Sequence, residues 1–523
     1  MKINSSTFKV NSWFTLVIII YSISGMFLLR YYQYQVNPDA LSYISLAQKY
    51  LIGDFSNAIN GMWSPLFSWL LIPFLYFGLK PLLATKVLSL IIGLFAIIGV
   101  KLLSYKFEMA ERNRNIIMFS LIPIILYFSF SVITPDLLSV CFLIYYLNII
   151  FSSQYCDKVQ KGIFCGALGA VAYLSQPYGF PFFISHFLLF NTFHYHRCAT
   201  KAKRKTVLRN LLFGFIIFFI ISGVWITIIS NKYHEITIGT AAKQNYAFVG
   251  PEPQVLHILC HGFLKPPNET AVSIWEDPSY LEMKPWSSIQ SWKSFRHQIK
   301  LIFKNSKTII IIFQSFSLLA VSIIIIYMLF YIIPFNKIIL QGNILYPLVT
   351  IILYSAGYTL FRVEERWLWI IDILLILMGG HILSRLFQND FFNNIRTKIA
   401  LMFFILSFIA MPFKRLVQDI NTGKDMYNLT KILRGYNIQD SNIASNTNWN
   451  TALYLSYYLN CKYFGIPKKN ISDENLETEL KKNKIDYYFV WDKSVYCSSK
   501  FLDSNYKEIT KGELPGLEIY SLK

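Results

Sequence analysis

The segment Asn37-Pro-Asp-Ala-Leu-Ser-Tyr-Ile-Ser-Leu-Ala-Gln-Lys-Tyr-Leu-Ile-Gly53 directly follows the first apolar stretch of the chain. Its apolar residues recur at helical spacing, at Ala40, Tyr43, Ile44, Ala47, Tyr50 and Leu51. Its polar residues fall on the opposite side, and Gly53 is suited to end a helix. A short amphipathic helix of this kind lies in the headgroup region of a membrane rather than crossing it. The segment therefore predicts an interfacial helix that places the Asp39 carboxylate near the membrane surface.

Asp39 has two interpretations. An Asp that follows Asn-Pro is a good helix N-cap, and capping alone would justify the residue. A carboxylate at the membrane surface could instead meet a phosphate carried by a lipid. The segment by itself favours capping, and the rest of the chain changes that balance.

Composition makes the chain a polytopic membrane protein. Hydrophobic residues make up 54% of its 523 residues, charged residues make up 15%, and the mean hydropathy is +0.41. The runs Leu211–Ile229 and Ile309–Ile333 contain no charged residue, and each is long enough to cross about 30 Å of hydrocarbon. The net charge of +20 is spread between apolar stretches, which indicates a topology signal rather than nucleic-acid binding.

Eleven membrane spans are predicted. The first run, Trp13–Leu29, lacks a small-residue cleavage site and is interpreted as an uncleaved span rather than a signal peptide. The predicted spans cover residues 13–30, 81–104, 115–133, 136–152, 161–175, 178–193, 208–230, 308–333, 338–360, 366–386 and 397–413.

Lys and Arg cluster in the connections on the side of the N-terminus, which predicts a cytoplasmic N-terminus. The cell location expected from this is the inner or plasma membrane, with residues 1–413 forming the membrane domain.

Residues 31–80 form a first outer loop, in which Trp63–Gly78 is a second interfacial helix because Pro73 interrupts it. Residues 231–307 form a long outer loop that is rich in aromatic residues, and it contains the candidate ligands or acids His257, His261, Glu276 and Asp277.

Residues 414–523 have the composition of a soluble extracytoplasmic domain. Alternating helix and strand patterns predict a small α/β fold. The expected helices are Asp425–Arg434, Trp449–Leu459 and Asp473–Lys482, and the expected strands are Asn442–Ser445, Lys462–Gly465, Ile485–Trp491 and Leu517–Leu522. No glycine-rich phosphate loop follows any of these strands, so the domain is expected to cap the membrane part or recognise an acceptor. Cys461 and Cys497 could pair in this domain.

Two acids occupy corresponding outer positions. Asp39 follows the first span, and Asp136, in Thr134-Pro-Asp136, opens the fourth. Thr134 and Pro135 also make an ordinary helix start, so Asp136 could be a first-turn acid only. An acid at a span boundary is costly where it faces lipid, which favours a cavity. Together the two carboxylates could hold a divalent cation, or one could deprotonate an acceptor.

A basic partner is expected in Phe361-Arg-Val-Glu-Glu-Arg-Trp-Leu-Trp369. Arg362 and Arg366 are four residues apart and would share one helix face. A guanidinium suits bidentate contact with phosphate. The alternative is that both arginines anchor the span at the interface, beside an aromatic belt of Trp367 and Trp369.

These motifs resemble the GT-C glycosyltransferases, and more closely the branch that contains protein O-mannosyltransferases and the aminoarabinose transferase of lipid A. The resemblance rests on Asp39, on Trp63-Ser-Pro-Leu-Phe-Ser-Trp69, on Thr134-Pro-Asp136, on Ala172-Tyr-Leu-Ser-Gln-Pro-Tyr-Gly-Phe180 and on Glu365-Arg-Trp367. It covers roughly residues 13–386. The order of the motifs and their common side carry the likeness.

The resemblance implies transfer of a sugar from a polyprenyl-phosphate carrier to a glycan, lipid or protein acceptor on the outer face, with inversion. It makes Asp39 the base or metal-linked acid, Asp136 the second acid and Arg366 the holder of the donor phosphate. Tyr43, Trp63 and Glu365 are expected in the substrate site. Gln176 stands where the family often has Lys or Arg, so Lys243 or Arg362 would compensate. A divalent cation is left open.

Two other functions are compatible with a polytopic chain. A transporter or flippase of lipid-linked sugars would bury polar residues in mid-span and break helices in matching halves. A membrane scaffold would not need paired acids. The concentration of acids and arginines at the outer ends of spans favours the transferase.

Overall fold

The computed structural model describes residues 12–251, 257–281, 286–332, 345–388, 393–491 and 499–523. The first part of the chain is helical. Its α-helices are α1 (Ser12–Tyr32), α2 (Pro38–Ile52), α3 (Phe55–Ala58), α4 (Pro65–Tyr76), α5 (Pro81–Ser104), α6 (Glu111–Ser131), α7 (Asp136–Ile150), α8 (Gln160–Ser175), α9 (Gly179–Arg197) and α10 (Lys201–Tyr233).

The second part of the membrane domain continues with α11 (Ala241–Phe248), α12 (Trp292–Phe316), α13 (Ala320–Ile332), α14 (Leu345–Tyr358), α15 (Trp369–Leu386) and α16 (Asn394–Gln418). Short 3-10 helices lie at Ser153–Asp157, Ile258–Cys260, Ile274–Glu276, Pro278–Tyr280 and Glu365–Leu368. Both segments that the sequence predicts to be interfacial are helical, as α2 and α4.

The helices are those of a multi-pass membrane protein. Among the described residues, six helices are long and apolar enough to cross a bilayer, or seven if α12 and α13 count as one broken span. The other predicted spans fall on helices that are shorter or more polar, and residues 338–344 of one of them lie outside the described part. The predicted span 308–333 is wrong as a single helix, because the chain breaks after Phe316 and the axis turns by 104° before α13 continues.

Burial follows the distribution of apolar residues around each helix. The most apolar part of the span that contains α15 is 94% buried in the protein. This helix is apolar on every side and lies at the centre of the bundle. α8 and α10 approach closely where glycines face each other. A Cβ on Gly166 would lie 2.1 Å from the carbonyl oxygen of Gly214, so only glycine fits this contact.

The C-terminal domain has a five-stranded sheet of mixed direction. Its elements are α17 (Lys424–Leu433), β1 (Asn442–Ser445), α18 (Trp449–Tyr458), β2 (Lys462–Tyr463), α19 (Asp473–Lys482), β3 (Tyr487–Val490), α20 (Ser499–Asn505), β4 (Lys507–Glu508) and β5 (Glu518–Ser521), with a 3-10 turn at Arg434–Tyr436. The strand order is β2-β1-β3-β5-β4. β1 pairs in parallel with β2 and β3, and β5 is antiparallel to its neighbours.

The predicted helices and strands of this domain are found within a few residues of their expected ends, whereas α20 and β4 were not foreseen. The helix that contains the last predicted span, α16, continues unbroken past residue 413 to Gln418. The proposed pairing of Cys461 with Cys497 involves a residue outside the described part. Cys461 itself is buried, and its thiol donates to the carbonyl oxygen of Ile438 at 3.1 Å.

The long outer loop joins the two domains. The amide of Tyr463 donates to the carbonyl oxygen of Val272 at 2.7 Å, and Ser273 forms a parallel bridge with the same residue of β2. On the other side, Leu41 of α2 packs into the apolar cluster of the C-terminal domain. The loop, α2 and the sheet therefore form one layer over one end of the membrane helices.

Candidate active site

A cavity of about 870 Å³ lies between this layer and the membrane helices. Its walls come from the start of α2, the start of α7, the turn between α8 and α9, the turn before α15, the outer loop and the start of α18. The lining includes Asp39, Tyr43, Trp63, Asp136, Gln176, His257, Trp275, Arg362, Glu364, Glu365, Arg366 and Trp449. The cavity thus gathers most of the predicted site residues from distant parts of the sequence.

Asp39 does not cap its helix. Asn37 occupies the N-cap position of α2, and its side-chain oxygen accepts instead from the amide of Ile133 at 2.9 Å. Asp39 Oδ2 accepts from Arg366 Nη1 at 2.8 Å, and Asp39 Oδ1 accepts from the indole nitrogen of Trp275 at 3.3 Å. The carboxylate is therefore directed into the cavity by tertiary partners.

Asp136 is the first residue of α7, with Pro135 at the N-cap position. Its side chain is 3% exposed. Thr134 Oγ1 donates to Asp136 Oδ2 at 2.5 Å, and Gln176 Nε2 donates to Asp136 Oδ1 at 2.9 Å. Gln176 is thus a hydrogen-bond donor to the second acid, a role that the sequence alone did not suggest.

Arg366 lies between three carboxylates. Its Nη1 contacts Asp39, its Nε lies 2.8 Å from Glu364 Oε2, and the same Nε lies 3.7 Å from Asp136 Oδ2. One positive charge thus faces three negative charges in a cluster that is mostly closed to solvent. Arg366 is the residue that is expected to bind the donor phosphate. In this structure its guanidinium is held by protein carboxylates.

Asp39 and Asp136 are the two residues that the sequence offers as ligands of a divalent cation. Among the described residues, no group of three or more His, Cys, Asp or Glu side chains is arranged to hold a metal ion. The guanidinium of Arg366 contacts Asp39 and approaches Asp136, so it supplies the positive charge that a bridging cation would bring. No chemical step is assigned to a metal.

Tyr43 and Trp63 lie side by side in the cavity wall. Their rings are 5.3 Å apart in an edge-to-face arrangement. Trp63 Nε1 donates to the carbonyl oxygen of Glu276 at 2.9 Å, so its polar atom fixes the outer loop. Burial raises the pKa of Tyr43 well above its ordinary value, and the negative charges of Asp39 and Asp136 act in the same direction. Tyr43 therefore remains a neutral phenol beside the two acids.

Of the other residues predicted to bind substrate, Arg362 and Glu365 line the cavity and Lys243 lies away from the charged cluster. Arg362 lines the rim of the cavity, is 55% exposed and pairs with Glu364 at 2.9 Å. Glu365 also lines the cavity, where it pairs with Arg415 of α16 and accepts from the Tyr127 hydroxyl at 3.2 Å. Lys243 does not join the cluster, because its side chain is 69% exposed and pairs with Glu235 at 2.9 Å.

The cavity also contains aromatic residues that sequence reasoning did not assign to it. His257 is stacked between Trp449 and Trp275, with ring centres 3.8 Å and 4.5 Å away. Burial lowers the pKa of His257 to about 4, so the imidazole is neutral at neutral pH, although the negative charge of Asp39 opposes the shift. The tryptophans of the outer loop indicated an aromatic wall. The sequence did not show that Trp449 of α18 would be part of it.

A second aromatic group lies on the membrane side of the cavity. The rings of Tyr178 and Tyr358 are 4.1 Å apart, and Trp367 stacks on Tyr358 at 5.2 Å. Phe361 packs against Tyr358 in the same wall. The cavity therefore has an aromatic wall from the ends of the membrane helices and a charged centre at Arg366.

No protein-family model matches the sequence, and no curated protein matches it. Solved structures do match over the whole length. ArnT from Cupriavidus metallidurans, crystallised with undecaprenyl phosphate, has a TM-score of 0.59 at 11% identity and covers 98% of both chains. The archaeal oligosaccharyltransferase AglB from Archaeoglobus fulgidus, in complex with an inhibitory peptide and a dolichol-phosphate, has a TM-score of 0.54 at 11% identity. It covers 92% of this chain and 69% of its own.

The fold is that of the GT-C class of membrane glycosyltransferases. ArnT and AglB are two proteins of that class whose structures this chain resembles. At 11% identity the likeness establishes the architecture, and the activity has to be argued from the site.

Proposed function

We propose that this protein is an integral membrane glycosyltransferase that moves a sugar from a polyprenyl-phosphate carrier to an acceptor. The observation that carries the proposal is the convergence of Asp39, Asp136 and Arg366 on one cavity, at the ends of membrane helices. A lipid-borne phosphate reaches such a site from the bilayer. A soluble nucleotide sugar would call for a phosphate-binding loop, which the sequence does not contain.

Asp39 is the proposed catalytic base. It removes a proton from the acceptor hydroxyl, whose oxygen forms a bond to the anomeric carbon of the donor sugar. The bond from that carbon to the phosphate oxygen breaks, and its electron pair leaves with the polyprenyl phosphate. Attack from the side opposite to the leaving phosphate inverts the anomeric configuration. The proton ends on Asp39 and then passes to solvent.

Arg366 is the proposed phosphate-binding residue. A guanidinium has five donors in a rigid fork, so it can keep one carboxylate contact while it receives a phosphate oxygen. A phosphate at Arg366 competes with Asp39 for the same cation. Donor binding would therefore weaken the hold of Arg366 on Asp39 and leave that carboxylate available as a base.

The two aromatic groups suit the two ends of such a donor. The wall of Tyr178, Tyr358 and Trp367 is apolar and faces the membrane side, which matches an isoprenoid chain. The wall of His257, Trp275 and Trp449 lies on the side of the C-terminal domain, where a glycan, lipid or protein acceptor would enter. Asp39 lies beside Trp275, at the junction of the two regions.

The proposed orientation places this cavity and the C-terminal domain outside the cytoplasm. It follows from the distribution of Lys and Arg in the connections between spans. In this orientation the enzyme acts at the outer face of the inner or plasma membrane, on donors that have already crossed the bilayer.

The test uses the purified full chain in nanodiscs, supplied with polyprenyl-phosphate sugars or with nucleotide sugars. Release of polyprenyl phosphate together with a glycosylated product from the lipid donor is the expected result. Activity with a nucleotide sugar alone would contradict the proposal. Movement of the lipid-linked sugar across proteoliposomes without bond cleavage would instead identify a flippase.

A further inference from the structure

The first half of α12 carries three different faces. Its buried face packs against the protein through Ser294, Gln298, Leu301 and Asn305. A second face exposes large apolar side chains, which are Trp292, Phe295, Ile299 and Phe303. A third face exposes basic side chains at spacings of three and four residues, which are Lys293, Arg296, Lys300, Lys304 and Lys307. Two of the three faces are thus open to the surroundings.

The buried face joins α12 to the rim of the cavity. Gln298 Nε2 donates to the carbonyl oxygen of Leu360 at 2.9 Å, and Asn305 Nδ2 donates to that of Thr359 at 2.9 Å. These carbonyls belong to the turn that leads into Arg362. The helix therefore lies on the same side of the molecule as the candidate site, with its orientation fixed by hydrogen bonds.

The basic face is unpaired within the part of the chain that the structure describes. The ion pairs seen there on the outer side involve other cations, such as Lys49, Lys232, Lys243, Arg362 and Lys462. Five exposed positive charges along one helix repel one another unless anions lie nearby. Lys and Arg are usually less frequent on the outer side of a membrane protein, so five of them along one helix are unusual there.

The break after Phe316 gives α12 and α13 very different directions. The helix axis turns by 104° between α12 and α13. If α13 crosses the bilayer, α12 lies near the membrane plane, with its apolar face beside its basic face. This is the pattern of an interfacial helix, whose apolar residues enter the headgroup boundary while its basic residues meet lipid phosphates.

We infer that residues 292–307 form a binding surface for anionic phospholipid headgroups. The charge of the basic face matches the phosphates of such lipids, and the adjacent aromatic and aliphatic side chains match the upper part of their acyl chains. The surface is distinct from the cavity, and it does not depend on the proposed sugar transfer. Bound lipids would also support the turn of residues 359–362 that forms the cavity rim.

The test measures the dissociation constants of phosphatidylglycerol and phosphatidylcholine from the full chain by native mass spectrometry in detergent. The variant K300Q/K304Q/K307Q removes three charges from the basic face, and K293Q/R296Q removes the other two. The matched control K468Q/K469Q/K511Q removes three exposed lysines from the C-terminal domain.

We expect the wild-type chain to prefer phosphatidylglycerol, and added salt to weaken that preference. Each lysine at an anionic surface contributes about fivefold in affinity, so the triple variant should lose at least about tenfold. The control should match the wild type, and all chains should bind phosphatidylcholine equally. Equal affinity of the wild type for both lipids would overturn the inference, as would equal phosphatidylglycerol binding by the triple variant and the control. Loss of sugar transfer has no bearing on this result.

Discussion

Lys49 of α2 and Glu276 of the outer loop form an ion pair that is closed to solvent, with side chains only 2% and 4% exposed. Ser45 Oγ also donates to Glu276 Oε2 at 2.6 Å, and Asn268 Nδ2 donates to Glu276 Oε1 at 3.2 Å. The residue that precedes Glu276 is Trp275, whose indole nitrogen donates to Asp39. This pair therefore fixes the outer loop at the residue that contacts the proposed base.

Glu276→Gln should destabilise the protein, because it leaves the Lys49 ammonium buried without its partner. The expected loss is about 3–5 kcal/mol, the usual scale for breaking a buried pair. The double variant Lys49→Met, Glu276→Leu should recover much of it, since no charge is then buried. Thermal unfolding in nanodiscs measures both effects. The exposed pair of Lys243 with Glu235 is the control, and Lys243→Met should change stability by less than about 1 kcal/mol. Equal effects of Glu276→Gln and Lys243→Met would contradict the prediction.

Asp39→Asn should lower kcat by at least about 10²-fold, the scale of general acid–base catalysis. The N-cap of α2 is Asn37, so the change leaves the cap intact. Donor turnover by the purified variant is the measurement, with unfolding temperature as the check on structure. Asp54→Asn, which removes an acid at the start of α3, should keep normal turnover. Wild-type turnover by Asp39→Asn would remove Asp39 from the proposed mechanism.

Arg366→Lys should raise the KM for the donor about tenfold or more. A lysine keeps the charge but has no planar fork, so it cannot contact Asp39, Glu364 and a phosphate together. Steady-state kinetics with a polyprenyl-phosphate sugar measure the change. Arg362→Lys is the matched control, because Arg362 is largely exposed and pairs with Glu364 alone among the described residues. If the two variants behave alike, Arg366 has no special role in donor binding.

His257 should make stability depend on pH. Burial lowers its pKa to about 4 in the folded protein, from about 6.5 in the unfolded chain. The unfolded chain therefore binds the proton more readily below pH 6.5, and the folded protein loses stability as the pH falls towards 4. His257→Gln should remove that loss, so its melting temperature relative to wild type should rise from pH 6.5 to 4. A difference that stays constant over this range would show that His257 does not titrate as described.

The cytoplasmic N-terminus can be tested by cysteine labelling in intact cells. Ser153 and Lys469 are both exposed, and they lie in connections predicted to be on opposite sides of the membrane. An impermeant thiol reagent should label Lys469→Cys and should label Ser153→Cys only after lysis. Five of the six free cysteines that the structure describes are buried, so the test is made in a Cys260→Ser, Cys497→Ser background, which removes the remaining described cysteine and the one outside the described residues. The reverse labelling pattern would invert the topology.

Local patterns were enough for the helices and for much of the small domain. Apolar residues at helical spacing predicted α2, and β1 was found at its predicted bounds, because short-range signals determine both. The break after Phe316 was missed, because the run Ile309–Ile333 is apolar throughout and the bend depends on packing. Residues 507–508 were also missed, since a two-residue edge strand leaves no periodic signal.

The sequence indicated the charged residues of the candidate site, but it did not indicate which residues contact them. Asp39, Asp136 and Arg366 were recognisable as polar residues at the outer ends of spans, and the structure brings them together. Which groups would contact them could not be read locally. Trp275 reaches Asp39 across 236 residues of sequence, and Gln176 reaches Asp136 across 40. The pairing of Lys243 with Glu235, away from the other predicted site residues, also depends on the fold of the loop.

The position of Leu41 has a consequence for biogenesis. Leu41 is 4% exposed because it packs into a cluster with residues of the C-terminal domain, beginning at Leu433. That domain leaves the ribosome roughly 400 residues later, which at about 5–20 residues per second is a delay of some 20–80 s. Until Ile258, Leu259 and Ile274 of the same cluster are made, this face of α2 has none of its partners in that cluster, and the membrane surface is the apolar phase beside it. The bilayer surface thus contacts this face of α2 first in the nascent chain. In the folded protein the C-terminal domain replaces the lipid at the same face.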